Sequence, residues 1–257
     1  MADLKNKLNT NKPILGTWNT FGSSMATKVL ASSGLDFQII DLEHGPFILN
    51  ALHDHVAASS FFDCSCLVRV PAHDNWMSLQ ALDQGADGVV FPQVSNSQEA
   101  ENLIRSTKYF PRGTRGFSPF TFSGKFTNKE SKYFAKKSNE ENVSVILLED
   151  KEAINNLPEI LEMDDLDVIY IGAYDLSKSL GIPGQVYDSK IIDLVKQASK
   201  KVNNSNKMIG SFVPQTLDEL KMCIDLGLNF ITFGVDAFRL RSSYDEAVNF
   251  IKGVNSI

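Results

Sequence analysis

Two acidic residues, Glu149 and Asp175, stand next to short apolar runs of the sequence. Glu149 ends the largely apolar run 143–148, and Asp175 closely follows the next such run, 168–172. Two carboxylates delivered by neighbouring strands can hold a hard cation such as Mg²⁺ or Mn²⁺ and leave other positions to water and a substrate. An Asp just before Leu176 is equally typical of a helix cap. Its position alone favours neither interpretation.

A second group of polar residues, Asp41, His44 and Arg69, follows or ends two earlier apolar runs. Asp41 precedes His44 by three residues, so a turn could bring the two side chains together. A carboxylate partner would fix the imidazole tautomer and raise its basicity, as a general base near neutral pH requires. Hydrogen bonding of His44 to the local backbone is the alternative. Arg69 at the end of a buried strand needs an anionic partner, and a substrate carboxylate would serve.

These residues depend for their placement on a regular alternation of strands and helices. Four times a predicted helix ends, an Asp or Asn follows, and a short apolar run comes next, at 37–40, 88–92, 168–172 and 230–234. Four further runs of the same kind, most of them separated by segments of helical length, are 14–18, 64–70, 143–149 and 208–212. Gly at a helix end before a buried strand, as in three of the four junctions, is typical of the loops of an alternating α/β protein.

Eight apolar strands that alternate with helices predict a parallel sheet covered on both sides, and eight repeats favour closure into a (β/α)8 TIM barrel. The alternative is an open, doubly wound sheet. No Gly-x-Gly-x-x-Gly turn follows any strand, so the signature of a dinucleotide-binding sheet is missing. The active site of a barrel lies at the C-terminal ends of its strands, which is where the acidic residues, His44 and Arg69 fall.

Length and charge restrict the number of domains and the classes of partner. The 257 residues suit one barrel, and we predict a single domain, residues 1–257, with a long loop at about 108–142 whose four phenylalanines pack against a substrate or a neighbouring subunit. The formal net charge of −6 offers no basic surface for nucleic acid. No signal peptide or membrane-spanning run is recognisable, so we expect a cytoplasmic protein without a membrane partner.

The other histidines and the lysines are predicted to play no catalytic part. His53 and His55 on an outer helix and His73 in a loop are expected at the surface. Lys207 is the only lysine within a predicted strand, and it stands near the wrong end. A Schiff-base aldolase needs a lysine inside the barrel, so the sequence favours a metal-assisted route over an imine.

The candidate residues lie in six motifs that resemble the HpcH/HpaI family of class II, metal-dependent pyruvate aldolases, whose name-giving member is 2,4-dihydroxyhept-2-ene-1,7-dioate aldolase. The likeness covers nearly the whole chain. The motifs are IDLEHGP at 40–46, VRVP at 68–71, GTRG at 113–116, LE at 148–149, IGAYDLS at 171–177 and FGVD at 233–236.

The resemblance implies a barrel of the phosphoenolpyruvate/pyruvate-domain type in which Glu149 and Asp175 bind a divalent cation. Mg²⁺ and Mn²⁺ are the expected ions, with Co²⁺ as a further candidate. The resemblance also implies that His44 is the base and that Arg69 steadies an enolate. Asp83 would reach into a neighbouring subunit's site to support the histidine, which requires a homo-oligomer, expected to be a trimer or hexamer.

The chain departs from the family pattern at two positions. Many relatives have glutamine where this chain has Leu147, so one side-chain hydrogen bond to the pyruvate group is expected to be lost. Where relatives commonly read Gly-Pro-Ala-Asp-Leu, this chain has Tyr174 between Gly172 and Asp175, and the backbone N–H of Tyr174 could still bind substrate. These departures concern the substrate more than the metal.

The expected function is therefore cleavage or formation of a 4-hydroxy-2-oxo acid from pyruvate and an aldehyde through a metal-bound enolate. The same site could also serve an oxaloacetate decarboxylase or an activity like that of an acyl-CoA lyase. A third alternative is a barrel that binds a ligand without turnover.

Overall fold

The computed structural model describes residues 4–10, 12–46 and 49–254, and its centre is a barrel of eight parallel strands. The strands pair in the order β7-β6-β5-β4-β3-β2-β1-β8. They are β1 (Ile14–Asn19), β2 (Phe37–Asp41), β3 (Ser65–Arg69), β4 (Gly88–Phe91), β5 (Val143–Leu148), β6 (Val168–Ile171), β7 (Met208–Ser211) and β8 (Phe230–Val235). Each overlaps one of the eight predicted runs, so the predicted (β/α)8 barrel is confirmed.

Helices follow the strands and cover the barrel. They are α1 (Leu4–Leu8), α2 (Ser24–Ala31), α3 (Leu52–Ser60), α4 (Asn75–Asp83), α5 (Ser97–Ser106), α6 (Ser131–Glu141), α7 (Lys151–Ile160), α8 (Ala173–Ser179), α9 (Ser189–Val202), α10 (Leu217–Asp225) and α11 (Asp236–Val254), with a 3₁₀ turn at Leu49–Ala51. In the part of the chain that the structure describes, no helix is long and apolar enough to cross a membrane.

The Asp or Asn at each of the four recurring junctions makes the same two hydrogen bonds. Its side-chain oxygen accepts the backbone N–H of the second residue of the strand before it, and its own N–H donates to that residue's carbonyl. The pairs are Asp36 with Leu15 (2.9 Å), Asp87 with Cys66 (2.8 Å), Asp167 with Ser144 (2.9 Å) and Asn229 with Ile209 (2.8 Å). The last pair joins β7 to β8 and so closes the barrel at its N-terminal end.

The barrel interior is filled by side chains from the strands and is plugged from below by α1. Leu4 and Leu8 of α1 belong to the same buried cluster as Phe37 and Phe230, whose rings stack 4.2 Å apart. Lysines of α1 pair with the junction carboxylates Asp36 and Asp167. A second, larger apolar cluster lies between the barrel and the surrounding helices.

The interval 108–142 differs from the expected loop, because its last third is helix α6. The buried ammonium of Lys108 donates to the carbonyls of Asn139 (3.2 Å) and Asn142 (2.8 Å) at the end of that helix. Lysine at a helix C-terminus satisfies carbonyls that have no partner within the helix. The chain before the helix exposes Phe117, Phe120, Phe122 and Phe126.

His55 is buried, so the expectation of a surface residue was wrong. Only 1 % of it is exposed, and its Nδ1 lies 2.7 Å from Thr27 Oγ1 on α2. Asn19 donates to the same hydroxyl, which places the imidazole in a polar network between β1 and the two helices. Burial lowers the pKa of His55.

The last helix, α11, packs on the barrel only through its first turn. Asp236 is the one buried residue among those described in this helix, and it accepts hydrogen bonds from the N–H groups of Thr20 (2.9 Å) and Phe21 (3.0 Å). The helix also exposes large apolar side chains, which are Phe238, Leu240, Tyr244, Val248, Phe250, Ile251 and Val254. Contiguous exposed apolar surface of this kind marks an interaction site.

Candidate active site at the C-terminal ends of the strands

Asp41 and Arg69 form a buried ion pair across β2 and β3, at positions that the strand register places side by side. Arg69 donates from Nε to Asp41 Oδ1 (2.9 Å) and from Nη2 to Oδ2 (2.6 Å), the bidentate geometry that suits a guanidinium and a carboxylate. Its Nη1 lies 3.1 Å from Glu43 Oε2. A guanidinium has five N–H donors, so these contacts leave two for an incoming anion.

His44 lies at the mouth of the barrel, but it does not contact the Asp41 carboxylate through its ring. Asp41 Oδ1 instead accepts the backbone N–H groups of Glu43 (3.1 Å) and His44 (3.2 Å). Arg69 binds the same carboxylate through two parallel charge-assisted hydrogen bonds, which are among the strong ones in proteins. The imidazole is 72 % exposed, with Nε2 4.0 Å from Glu43 Oε2. The expected Asp41–imidazole contact is therefore absent.

Glu149, directly after β5, is contacted on two sides at the mouth of the barrel. Its Oε2 accepts the backbone N–H of Gln93 at 2.7 Å. On its other side lies Gly172, where a Cβ atom would come within 2.7 Å of Glu149 Cγ. The pKa of Glu149 is raised to about 7, first by burial and then by the negative charges of Asp175 and Glu43.

Asp175 lies in the first turn of α8 and is not its N-cap. The capping position belongs to Gly172, which has no side chain to offer, so the capping interpretation of Asp175 was wrong. The Asp175 carboxylate is 54 % exposed, and Lys178 Nζ lies 3.8 Å from its Oδ1. Its carboxylate therefore remains available at the mouth, where a helix N-terminus favours negative charge.

The carboxylates at the mouth suit a divalent cation. Glu149 and Asp175 come from adjacent βα units, and Glu43 is close enough to raise the pKa of Glu149. Buried carboxylates that repel one another are stabilised when a cation neutralises them. Within residues 4–10, 12–46 and 49–254, no group of three or more His, Cys, Asp or Glu side chains forms a metal-binding cluster. The candidate donors are Glu149 and Asp175.

The other predicted site residues are divided between the mouth and the far end of the barrel. Leu147 is buried in the barrel interior, and Tyr174 on α8 is exposed. Asp83 ends α4, and because the helices run antiparallel to the strands, it lies at the end of the barrel away from its own chain's mouth. There Asp83 Oδ1 accepts from the buried Arg115 guanidinium at 2.7 Å.

No role was predicted for three residues at the site: Glu43, Gln93 and Trp18. Gln93 has φ +57°, a left-handed conformation that is uncommon for a residue other than Gly. This conformation aims its N–H at Glu149, and such strained residues cluster at functional sites. Trp18 lies beneath Arg69, with its ring centroid 4.5 Å from the guanidinium carbon. Gln93 and Trp18 both stand at strand ends, which was the available signal.

The chain is similar to known proteins in sequence and in fold. The chain is 30% identical to the 4-hydroxy-2-oxo-heptane-1,7-dioate aldolase of Escherichia coli, over 90% of this chain and 88% of that protein. It is 28% identical to the hydroxypyruvate/pyruvate aldolase of Agrobacterium fabrum, over 90% of this chain and 86% of that protein. A crystal structure of an HpcH/HpaI aldolase/citrate lyase family protein from Burkholderia cenocepacia has a TM-score of 0.91 to this chain, at 23% identity over 98% of this chain and all of that one. The family model described as HpcH/HpaI aldolase/citrate lyase matches residues 16–243, and the chain belongs to that family.

Proposed function

We propose that this protein is a class II aldolase that cleaves or forms 4-hydroxy-2-oxo acids from pyruvate and an aldehyde. The observation that carries the proposal is the arrangement at the mouth: Arg69 is locked by Asp41 with two donors left, beside the constrained carboxylate of Glu149. A cationic donor for a 2-oxo acid and a carboxylate for a metal ion are thereby brought to one place. The membership in an aldolase family supports an enzyme over a barrel that binds ligand without turnover.

Glu149 and Asp175 would hold a divalent cation, Mg²⁺ or Mn²⁺, with Co²⁺ as a further candidate. When bound, such an ion acts as a Lewis acid that polarises the keto group of a 2-oxo acid. The crowding of Glu149 against Gly172 fixes one ligand in direction, while the exposed Asp175 can adjust to the ion. The remaining coordination positions are left to water and substrate.

Arg69 would bind the negative charge of the substrate and of the transition state. Its two free N–H groups can pair with a carboxylate or with developing enolate charge, an electrostatic stabilisation that is strong because the guanidinium is already oriented. The backbone N–H of Tyr174, in the first turn of α8 and so without a partner in that helix, is a further donor for the substrate carboxylate. The expected contribution of Gly172 is limited to its small size, because its N–H already donates to the Leu148 carbonyl (3.0 Å). Leu147 is buried and has no side-chain hydrogen-bonding group to offer the substrate.

His44 would move the proton of the 4-hydroxyl group. Its imidazole is exposed at the mouth, as a base that meets an incoming substrate requires, and Glu43 is the nearest carboxylate. In the cleavage direction the imidazole accepts the hydroxyl proton as the C3–C4 bond breaks. In the addition direction it returns that proton to the aldehyde oxygen.

The test is aldehyde release from a series of 4-hydroxy-2-oxo acids, measured with Mg²⁺ and with EDTA. We expect activity that EDTA abolishes and that Mg²⁺ or Mn²⁺ restores. Glu149→Gln should abolish it, whereas Glu152→Gln, which removes an exposed carboxylate on α7, should not. Full activity in EDTA together with inactivation by borohydride would replace the metal route with an imine route. Faster turnover of oxaloacetate than of any hydroxy-oxo acid would replace the aldolase with a decarboxylase.

We also propose that the protein is a homo-oligomer, either a trimer or a hexamer, that acts in the cytoplasm. The apolar surface of α11 beyond its first turn supports a subunit interface, because exposed apolar patches of this size are uncommon on monomers. Asp83 lies far from its own chain's mouth, as a residue that serves a neighbouring subunit would. The three free, buried cysteines are compatible with a reducing compartment.

A further inference from the structure

A chain of hydrogen bonds crosses the barrel interior directly beneath Arg69. The indole Nε1 of Trp18 lies 3.2 Å from Thr232 Oγ1, and Thr232 Oγ1 lies 2.7 Å from Tyr170 Oη. The Tyr170 hydroxyl also donates to the carbonyl of Phe212. All four residues are buried, and they come from β1, β8, β6 and the end of β7.

The donor and acceptor capacities of the four groups determine which group donates in each hydrogen bond of this chain. An indole N–H can only donate and a carbonyl can only accept. Tyr170 has a single O–H, which goes to the Phe212 carbonyl, so the Thr232 hydroxyl must donate to Tyr170 and accept from Trp18. The chain is therefore fully satisfied in one orientation, and burial raises the pKa of Tyr170 to about 12, which keeps its proton in place.

Local features of the backbone make room for this chain. A β-bulge in β8, between the pairs Gly16–Thr232 and Trp18–Val235, brings Thr232 beside the indole. Gly234 at the bulge has φ +74°, which favours glycine. Gly210 faces Tyr170 across β6 and β7, where a Cβ atom would lie 2.5 Å from the phenol ring. Bulges beside active sites commonly re-aim a side chain.

The guanidinium of Arg69 stacks on Trp18, the first member of this hydrogen-bond chain. Asp41 and Glu43 bind its edges, and the Trp18 ring covers one face at 4.5 Å. The carboxylates fix where the edges point, and the ring opposes tilting of the guanidinium plane into the barrel. An indole that is itself held by Thr232 and Tyr170 is a rigid support, since a ring hydrogen-bonded at Nε1 cannot rotate freely.

We propose that Trp18 is a positioning residue for Arg69, held by the hydrogen-bond chain through Thr232 and Tyr170, and that this chain sets the affinity of the site for 2-oxo acids. This inference rests on the proposed function, in which Arg69 binds the substrate's negative charge. Thr232 and Tyr170 touch no substrate in this scheme and act only through the indole and the guanidinium.

The test uses the fluorescence of Trp18. The protein has two tryptophans, and replacing the exposed one, Trp76→Phe, leaves Trp18 as the only indole. Titration with pyruvate in the presence of Mg²⁺ should change the Trp18 emission until the site is saturated. Thr232→Val, which keeps the shape and removes the hydroxyl, should weaken pyruvate binding about tenfold and raise KM more than it lowers kcat, whereas Thr232→Ser should stay within about twofold of the parent.

A double-mutant cycle with Arg69→Lys separates positioning from a purely structural effect. If the chain acts through Arg69, Thr232→Val causes no further loss of pyruvate affinity once the guanidinium is gone. An equal loss in both backgrounds would overturn the proposal, and so would a folded Thr232→Val variant that binds pyruvate as tightly as Thr232→Ser. Tyr170→Phe gives a second variant, expected to weaken binding less than Thr232→Val, should the valine variant fail to fold.

The two proposals fail in different ways. Tight pyruvate binding that obeys the double-mutant cycle, without aldehyde release from any hydroxy-oxo acid, would reject the aldolase and keep the role of Trp18. Normal aldolase kinetics in folded Thr232→Val would reject the role of Trp18 and keep the aldolase.

Discussion

Gly172 and Glu149 lie so close together that residue 172 has no space for a side chain. A Cβ atom there would lie 2.7 Å from Glu149 Cγ and 2.9 Å from Oε1. The glycine follows β6 and immediately precedes α8, so the carboxylate lies against the N-terminus of that helix. The backbone of one βα unit thereby fixes the acidic side chain of the unit before it.

Gly172→Ala is therefore expected to displace the Glu149 carboxylate. Mn²⁺ affinity and kcat/KM should fall on the order of a hundredfold, because a displaced ligand cannot share a cation with Asp175. Calorimetric Mn²⁺ titration and the aldehyde-release assay measure the two effects. Gly253→Ala, at a position with open space around its Cβ, serves as the matched control and should change neither. Unaltered Mn²⁺ binding by a folded Gly172→Ala protein would mean that Glu149 is not a metal ligand.

The raised pKa of Glu149 predicts a pH dependence of metal binding. With a pKa of about 7 against an ordinary value of 4.5, the folded protein without a cation retains a proton that the unfolded chain releases. The contribution of Glu149 to stability is thus present below pH 4.5 and lost as the pH rises through about 7. A cation must displace this proton, so affinity should rise about tenfold per pH unit below 7 and level off above it.

Calorimetry of Mg²⁺ or Mn²⁺ binding in buffers of different ionisation enthalpy measures the displaced proton. We expect close to one proton released at pH 6 and little at pH 8. Asp175→Asn should lower the pH at which release disappears, because it removes a charge that raises the Glu149 pKa. A proton count that does not vary between pH 6 and pH 8 would contradict the assignment.

The part of the fold that is encoded locally was predictable, and the part that depends on strand register was not. The junction residues Asp36, Asp87, Asp167 and Asn229 recur in sequence because each makes the same local hydrogen bonds, and they marked every second strand correctly. The Trp18–Thr232–Tyr170 chain joins three strands that are distant in sequence. Its members meet only because of the barrel register and the bulge at Gly234.

The errors at His55 and Asp41 have separate physical causes. His55 belongs to a buried set on α3, with Leu52, Val56 and Ser59, whose spacing of three and four residues marks the inner face of a helix. That periodicity was available in the sequence. The side-chain partner of Asp41 could not be read from the sequence, because Arg69 reaches the carboxylate from a neighbouring strand.

His55 should make the protein sensitive to acid. Burial lowers its pKa, so the unfolded chain binds a proton more readily than the folded one, and stability is lost as the pH falls below the ordinary value of 6.5. His55→Asn should lower the free energy of unfolding at pH 7 by about 1–2 kcal/mol, through a weakened hydrogen bond to Thr27, and should reduce the loss between pH 7 and pH 5.

Urea unfolding at both pH values measures this difference. His53→Asn, on the exposed side of the same helix, is the matched control and should behave like the parent protein at each pH. If His55→Asn lost as much stability on acidification as His53→Asn, protonation of His55 would not be the cause.

The apolar surface of α11 is expected to hold subunits together. Tyr244 and Val248 are four residues apart and so share one face of the helix, and both are exposed in the single chain. Placing two carboxylates there with Tyr244→Glu and Val248→Glu should dissociate the oligomer, because buried, unpaired charges cost several kcal/mol. Light scattering coupled to gel filtration measures the mass. The neighbouring exchange Asn249→Glu adds charge at a polar position and should leave the mass unchanged.

An unchanged mass for the double variant would move the interface elsewhere, with the exposed phenylalanines between 117 and 126 as the next surface to test. If Asp83 serves a neighbouring subunit, dissociation should also lower kcat in the same variant, while a fully active monomer would show that each barrel works alone.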